Sequence, residues 1–445
     1  MECSSMRKHF LLMFCMFVFS ATASFANERT ENNGNLILKN IPIIPESIKS
    51  DLTQYQNVRS APFRGFNNEG NEIFITTRFG NVSQLHKVRK KGGAREQITF
   101  FEEPIGSISR KPGGQLIAFT MDAGGSENNQ IFVLDPKNGS SQMLSDGQSR
   151  NGGPLWEKNG SRIAYQSTRR NGQSNDVWMM DSKNIDSAEM ILESPDGTWW
   201  GPSDWSKDGK KILIQNYISI TNAKAYLLDI ESKKKEMILG SDSTESYNAI
   251  LSFDRSQKGV FFLTNEFGEF NQLAHKDLAT NKISILTKDI PWDIGGFAIS
   301  TDYKRVAFTV NEGGMGSLYL MDTESKKYRK VKSIPIGLIG GIEFSEDGTK
   351  LGLTINSYQT PSDSYVLNLK NNPLLYGSLN RWTVSEIGGL DVSEFVEPKL
   401  ISYQSFDGKM IPAFIYAKEC IEPQPVIVSI HGGPESQSRP SFSQR

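Results

Sequence analysis

The residues with the clearest chemical potential lie near the end of the 445-residue chain, where the apolar run Pro425–Ile430 leads into His431-Gly432-Gly433-Pro434. A short apolar run bounded by turn residues is typical of a buried strand. Glycines after such a strand leave backbone N–H groups accessible, and these groups can stabilise the oxyanion of a tetrahedral intermediate in acyl transfer. His431, Gly432, Gly433 and Pro434 are therefore a candidate oxyanion loop. The alternative is a strand-ending turn without chemistry.

An oxyanion loop serves catalysis only beside a nucleophile, which in α/β-hydrolases lies in a Gly-x-Ser-x-Gly turn. The sequence contains no such pattern, and the nearest serine–glycine neighbourhoods, residues 124–128 and 172–175, lack the second glycine. Of the histidines, His86, His275 and His431 follow the amino-terminal segment, and no two of them have the spacing of metal ligands. The sequence thus predicts no catalytic triad within these residues, no metal site and no cofactor.

The composition is that of a globular protein, with 37% apolar and 10% aromatic residues. The net charge is −1 and no long basic block occurs, which argues against a nucleic-acid partner.

The amino-terminus has the features of a signal peptide. Arg7 and Lys8 precede the apolar run Phe10–Phe19, which is too short to span a bilayer as a helix. Small residues follow at cleavage spacing, so we predict that residues 1–26 are removed by cleavage after Ala26, which would give a periplasmic or secreted protein without a stable membrane anchor. An uncleaved anchor is the alternative. Cleavage leaves Cys420 as the only cysteine and therefore excludes an internal disulfide.

A repeat organises the middle of the chain. An apolar anchor residue precedes a polar turn that often ends in glycine, and a β-branched strand follows. The seven anchors are Phe66, Ile108, Trp156, Trp205, Phe253, Ile299 and Phe344. Their successive spacings of 42, 48, 49, 48, 46 and 45 residues are typical of four-stranded propeller blades.

The repeat predicts an all-β fold, a seven-bladed β-propeller over residues 59–385, in which ringed blades cover one another's faces. A β-sandwich array is the alternative. Residues 27–58 do not fit the repeat and are predicted to form an irregular leader. After the seventh blade, residues 400–416 predict a β-hairpin with an Asp-Gly turn. Residues 386–445 are then interpreted as a linker and the first strands of an incomplete α/β-hydrolase domain.

Several stretches of the sequence carry a resemblance to a known family. They are residues 55–61, 77–81 and 93–100, the turn after Trp205, and residues 405–408, 411–413 and 431–435. From about residue 40 onward, the chain resembles the amino-terminal part of serine peptidases of the prolyl oligopeptidase family, of the acylaminoacyl-peptidase or dipeptidyl-peptidase type. The blade turns alone are weakly specific, because TolB-like propellers share them, whereas the hairpin followed by His-Gly-Gly-Pro-Glu is strongly specific.

The resemblance implies an enzyme that hydrolyses short peptides. It also implies that Gly433 donates a backbone N–H to the oxyanion hole, while His431 holds the loop and is not the catalytic histidine. Because the triad is missing, we expect this chain to be an inactive fragment of an exported peptidase, truncated just after the oxyanion loop. The alternative is a periplasmic TolB-like propeller that serves as a binding scaffold. The choice between acylated peptides and free amino-terminal dipeptides as substrates stays open.

Overall fold

The computed structural model describes residues 28–332, 334–418, 422–433 and 435–443. The expected signal peptide, Cys420 and Pro434 therefore lie outside the described residues. The chain divides into two compact units, residues 1–53 and 54–445. Within the described ranges, no helix combines the length and the hydropathy that crossing a bilayer requires.

The segment before the propeller contains more regular structure than the irregular leader that the sequence predicts. Strand β1 (Arg29–Glu31) pairs with β2 (Leu36–Leu38) in a hairpin, and helix α1 (Glu46–Gln56) follows directly after Pro45. No residue of α1 is buried. Its apolar residues Ile48, Leu52 and Tyr55 recur at helical spacing, but all three are exposed. The segment is therefore more regular than the predicted leader.

The short strand β3 (Val58–Arg59) precedes the blades. Seven four-stranded sheets form the blades, and within each sheet the four strands pair antiparallel in chain order. Blades 1 to 3 consist of β4 (Phe63–Phe66), β5 (Ile73–Thr77), β6 (Gln84–Val88) and β7 (Arg95–Gln97); β8 (Ile108–Arg110), β9 (Ile117–Met121), β10 (Gln130–Leu134) and β11 (Ser141–Met143); and β12 (Asn151–Trp156), β13 (Arg162–Ser167), β14 (Asp176–Asp181) and β15 (Asn184–Leu192). Blades 4 and 5 consist of β16 (Trp199–Trp205), β17 (Lys211–Ser219), β18 (Asn222–Asp229) and β19 (Lys235–Leu239); and β20 (Asn248–Phe253), β21 (Gly259–Thr264), β22 (Gln272–Asp277) and β23 (Ile283–Ile285). Blades 6 and 7 consist of β24 (Ile294–Ile299), β25 (Arg305–Glu312), β26 (Met315–Asp322) and β27 (Tyr328–Lys330); and β28 (Leu338–Phe344), β29 (Lys350–Asn356), β30 (Asp363–Leu369) and β31 (Tyr376–Arg381). The predicted seven-bladed propeller is confirmed.

The first strand of each blade ends in a repeated turn. The residue after the anchor donates its backbone N–H to the carbonyl five positions later, as Glu157 does to Arg162 (2.9 Å). In blade 2 the donor of this hydrogen bond is Lys111, so Arg110 and not Ile108 stands at the anchor position. A charged residue at an otherwise apolar position explains why the sequence pattern was misread there. With Arg110 as the anchor, the first two spacings become 44 and 46 residues.

The core lies between the blades, where the faces of adjacent sheets meet. Trp156 and Trp205 are buried anchors in this core. The indole N–H of Trp156 donates to the carbonyl of Ser109 in blade 2 (3.0 Å), and that of Trp205 donates to the carbonyl of Leu155 in blade 3 (3.2 Å). Each buried indole therefore satisfies its donor on the preceding blade, which ties neighbouring sheets together.

The ring closes where β4 packs against β28, β29 and β30 of blade 7. The backbone N–H of Phe63 donates to the hydroxyl of Thr354 (2.9 Å). The Phe63 ring lies so close to Gly352 that a Cβ at that position would come within 2.1 Å of it. Beyond this contact, β3 pairs antiparallel with β32 (Glu386–Ile387). The segment that precedes the first blade thus pairs with the segment that follows the last blade, at the point where the ring closes.

A buried carboxylate organises the end of blade 7. Asp363 accepts hydrogen bonds from the guanidinium of Arg381 (2.5 Å) and from the hydroxyls of Thr383 and Ser385 (2.7 Å each). Hydrogen bonds to an ionised acceptor are stronger than neutral ones. The carboxylate therefore fixes the chain that leaves the last blade and runs to β32.

Polar side chains from blades that are not neighbours meet where the first strands end. Lys158 of blade 3 pairs with Asp204 of blade 4 (Nζ–Oδ1, 2.5 Å), and its ammonium lies 5.9 Å from the ring centre of Tyr303 in blade 6. The ammonium of Lys207 in blade 4 lies 4.3 Å from the same ring centre. Because blades 3 and 6 are not adjacent, these contacts cross the propeller axis. This end of the axis is occupied by side chains.

Candidate oxyanion loop

The predicted hairpin is present after the ring. Strand β33 (Lys399–Gln404) pairs antiparallel with β34 (Met410–Ile415). Gly408 in the connecting turn has a φ of +83°, a left-handed conformation that favours glycine. The hairpin brings the chain to the segment that carries the candidate oxyanion loop.

The expected strand Val426–Ile430 is absent, and this part of the prediction was wrong. The described residues around it have no strand conformation, and Val426, Ile427, Val428 and Ile430 are 76–93% exposed. A strand requires hydrogen-bonding neighbours on at least one edge, and none of the described residues supplies them. The apolar pattern indicates the tendency of this segment to form a strand, whereas the strand itself depends on a sheet.

The loop that follows is equally open. Gly433 has a φ of +72°, and a Cβ built on Gly432 or Gly433 would meet no described atom within 4 Å. The imidazole Nδ1 of His431 lies 3.4 Å from the carbonyl oxygen of Gly432, a distance too long for a strong hydrogen bond. The backbone N–H groups are thus accessible, as an oxyanion loop requires. The described residues bring no nucleophile to them.

The other two candidate histidines lie in blade strands, as expected. His86 is buried in β6, with Nδ1 3.0 Å from the carbonyl oxygen of Gln84, and burial lowers the pKa of His86. His275 lies in β22, with Nε2 3.0 Å from a carboxylate oxygen of Asp254 in the blade 5 turn. Both histidines are far along the chain from His431, and their hydrogen-bond partners, Gln84 and Asp254, lie in the blades and not in the loop.

A serine lies near the pair of Asp254 and His275, but this arrangement does not activate it as a nucleophile. Ser256 donates its hydroxyl proton to Asp254 (2.8 Å), and the histidine contacts the same carboxylate. A base-activated serine would instead donate to the imidazole. Although burial raises it, the hydrogen bonds from His275 and Ser256 lower the pKa of Asp254 to about 2. The carboxylate therefore serves as the acceptor of a turn-stabilising cluster.

A second feature of this region is a docked segment downstream of the loop, which the sequence did not reveal. Gln437 contacts Asn311 near the end of β25, and Arg439 contacts the turn between β25 and β26. Phe442 contacts Asn356 at the end of β29, and Pro440 is buried. The segment is polar and lacks periodicity, so no pattern signalled it. Within the described ranges, no group of three or more His, Cys, Asp or Glu side chains could hold a metal ion.

The family described as prolyl oligopeptidase, N-terminal beta-propeller domain, matches residues 104–375, which is more than half of the chain. No curated protein matches this chain in sequence.

Solved structures of peptidases have a similar fold. A prolyl endopeptidase, from work on two such enzymes and the role of inter-domain dynamics in catalysis and specificity, aligns with a TM-score of 0.67 and 12% identity over 82% of this chain and 56% of its own. Prolyl oligopeptidase B from Galerina marginata, bound to a 35mer hydrolysis and macrocyclization substrate, aligns with a TM-score of 0.67 and 13% identity over 83% of this chain and 56% of its own. The chain thus spans 56% of the length of these structures, and identities this low establish the fold alone.

Proposed function

The chain belongs to the prolyl oligopeptidase family, and we propose that it contributes the propeller and the oxyanion loop of an exported serine peptidase that hydrolyses short peptides. The observation that carries the proposal is the order of parts. A seven-bladed propeller is followed directly by the hairpin β33–β34 and then by the accessible backbone of His431–Gly433. A propeller that served only as a binding scaffold would have no need of such a loop.

In this proposal the backbone N–H of Gly433 stabilises the tetrahedral oxyanion, because glycine lets the substrate carbonyl approach the backbone closely. His431 holds the loop, and the propeller covers the active site and thereby restricts substrates to short peptides. The nucleophilic serine, with its Asp and His partners, would come from residues other than these 445. Acylated peptides and free amino-terminal dipeptides are the substrate classes to compare.

The first experiment uses the chain alone. Purified residues 27–445 should not turn over acylaminoacyl or dipeptidyl chromogenic substrates, because the sequence holds no Gly-x-Ser-x-Gly turn. Turnover that disappears when an internal residue is substituted would contradict this expectation. Amino-terminal sequencing of the protein from a periplasmic extract tests the export step, for which a mature terminus at Asn27 is expected.

The second experiment tests the function itself. The DNA beyond codon 445 is sequenced, and any longer polypeptide that it encodes is assayed with the same substrates and with a serine-reactive fluorophosphonate. A downstream Gly-x-Ser-x-Gly turn with fluorophosphonate-sensitive hydrolysis would support the proposal. A stop codon at that position, with no hydrolysis, would overturn it in favour of a TolB-like scaffold.

A further inference from the structure

Exposure differs sharply on the two sides of the candidate oxyanion loop. The apolar residues Val426–Ile430 before the loop are almost fully exposed, whereas Pro440 after it is buried and Arg439 and Phe442 are half-buried. We call residues Gln437–Phe442 the strap. Burial against the propeller would favour an apolar segment over a polar one. The docking of this mainly polar segment therefore requires specific contacts.

Three hydrogen bonds connect the strap to two blades. The amide of Asn311 in blade 6 donates to the side-chain oxygen of Gln437 (2.8 Å), and Arg439 Nε donates to the carbonyl of Gly314 (2.8 Å). The backbone N–H of Phe442 donates to Oδ1 of Asn356 in blade 7 (2.7 Å). All three have good hydrogen-bond lengths, and they fix the strap at three points within six residues.

The same blade 6 turn also contacts the hairpin that precedes the loop. A Cβ on Gly313 would lie 3.2 Å from the Leu400 side chain, and one on Gly314 would lie 2.8 Å from the Phe414 ring. Both glycines have left-handed φ values, +60° and +94°. The turn therefore approaches β33 and β34 with its bare backbone while its polar groups bind the strap.

We propose that the turn Asn311–Gly314, together with Asn356, is a docking site for the strap, and that this site holds both ends of the segment that carries His431–Gly433 against the propeller. The chain leaves the turn at Phe414 and returns to it at Gln437. Fixing both ends of a loop at one point lowers the entropy that the loop loses when it is positioned. Blade 6 thereby positions the loop without touching it.

The role of the strap in catalysis rests on the proposed function, whereas the docking itself does not. Asn311, Asn356 and the strap residues are positioning residues, because they act through the loop. If the loop serves in acyl transfer, any shift of the blade 6 turn would move the oxyanion donors relative to the nucleophile.

Hydrogen exchange of the intact chain, followed by mass spectrometry, tests the docking. In peptides covering residues 435–443, the backbone amides of Ser441 and Phe442 should exchange at least tenfold more slowly than the backbone amides of residues 426–430. Asn311→Asp keeps the acceptor for the N–H of Gly314 but loses the donor to Gln437, and Asn356→Ala removes the acceptor for Phe442. Each variant should accelerate strap exchange at least tenfold.

The matched control is Asn171→Asp, the same substitution in the β13–β14 turn of blade 3, where the side-chain hydrogen bonds of Asn171 go to Gln173 and Ser174 of the same turn. It should leave strap exchange unchanged, and peptides from the blades should exchange alike in all variants. The docking site would be overturned if the strap exchanged as fast as residues 426–430 in the unmodified chain, or if neither Asn311→Asp nor Asn356→Ala changed the exchange rate of the strap. Neither result depends on peptidase activity, so the proposed function is judged separately.

Discussion

Tyr303 occupies a turn position at which blades 1, 3, 4 and 7 have glycine, and like those glycines it has a left-handed φ, +60°. That conformation costs a bulky residue about 1–2 kcal/mol. Gln257 occupies the same turn position in blade 5 and is also a non-glycine residue with a φ of +60°. Tyr303 is buried and meets the two lysines at the axis, so we infer that the side chain offsets the backbone cost.

The inference predicts different outcomes for two substitutions to glycine. Tyr303→Gly relieves the backbone but empties a buried site, and should lower the free energy of unfolding by about 2 kcal/mol net. Gln257→Gly relieves the same strain but removes the half-exposed side chain that accepts a hydrogen bond from the backbone N–H of Lys207 (2.8 Å). Because these two effects oppose each other, the free energy of unfolding should change by less than about 1 kcal/mol. Urea denaturation measures both values. A Tyr303→Gly protein as stable as the unmodified chain would show that the cross-axis contacts contribute little.

The Asp254 carboxylate predicts a pH dependence. Its folded pKa of about 2 lies below the ordinary value of 3.8, so its stabilising effect is fully present above about pH 4 and is lost as the pH falls toward 2. Asp254→Asn should therefore lower the free energy of unfolding at neutral pH and make its decline between pH 4 and pH 2 shallower. Asp186→Asn, the same change at an exposed residue of β15, is the control. Identical slopes in the two variants would contradict the assignment.

At the scale of elements, closure of the ring depends on one close approach. Gly352→Ala places a methyl group against the Phe63 ring, where a Cβ would lie 2.1 Å from it. Overpacking of this kind should lower the free energy of unfolding by about 1–3 kcal/mol. Gly340→Ala in β28 is the matched control, because a Cβ there meets nothing within 4 Å. Urea denaturation of Gly352→Ala in a Phe63→Leu background should show a smaller cost, and equal costs in both backgrounds would refute the contact.

The elements that could be predicted from the sequence are those whose signal is repeated or local. Seven recurrences of an apolar anchor and its turn revealed the propeller, and an Asp-Gly turn between alternating segments revealed the hairpin β33–β34. Arg110 was missed as an anchor because its charged side chain breaks the apolar pattern. Helix α1 was missed because its 11 residues include only three apolar positions, which form a weak signal and are exposed. The strap was missed because its docking depends on residues more than 80 positions away, which no local pattern contains.

For the whole molecule, the strand that failed to form is the most consequential difference. Val426–Ile430 has the composition of a central strand, yet it is exposed because a strand is stabilised by its neighbours more than by its own residues. The candidate oxyanion loop depends on that strand for its orientation. The described residues therefore contain His431–Gly433 and the docking site of the strap that follows, while the sheet that would orient the loop is not among them.

An exposed apolar segment with unpaired backbone groups is a template for pairing with another chain. We therefore expect the 445-residue chain to self-associate in a concentration-dependent way, and Val428→Lys to reduce that association by adding a charge to the segment. Val384→Lys is the control, because Val384 is a single exposed valine, 67% accessible, outside the segment. Sedimentation velocity over a range of concentrations distinguishes the variants. Equal association of both lysine variants and the unmodified chain would mean that another surface mediates it, and a monomer at every concentration would mean that the segment is protected by contacts other than those described.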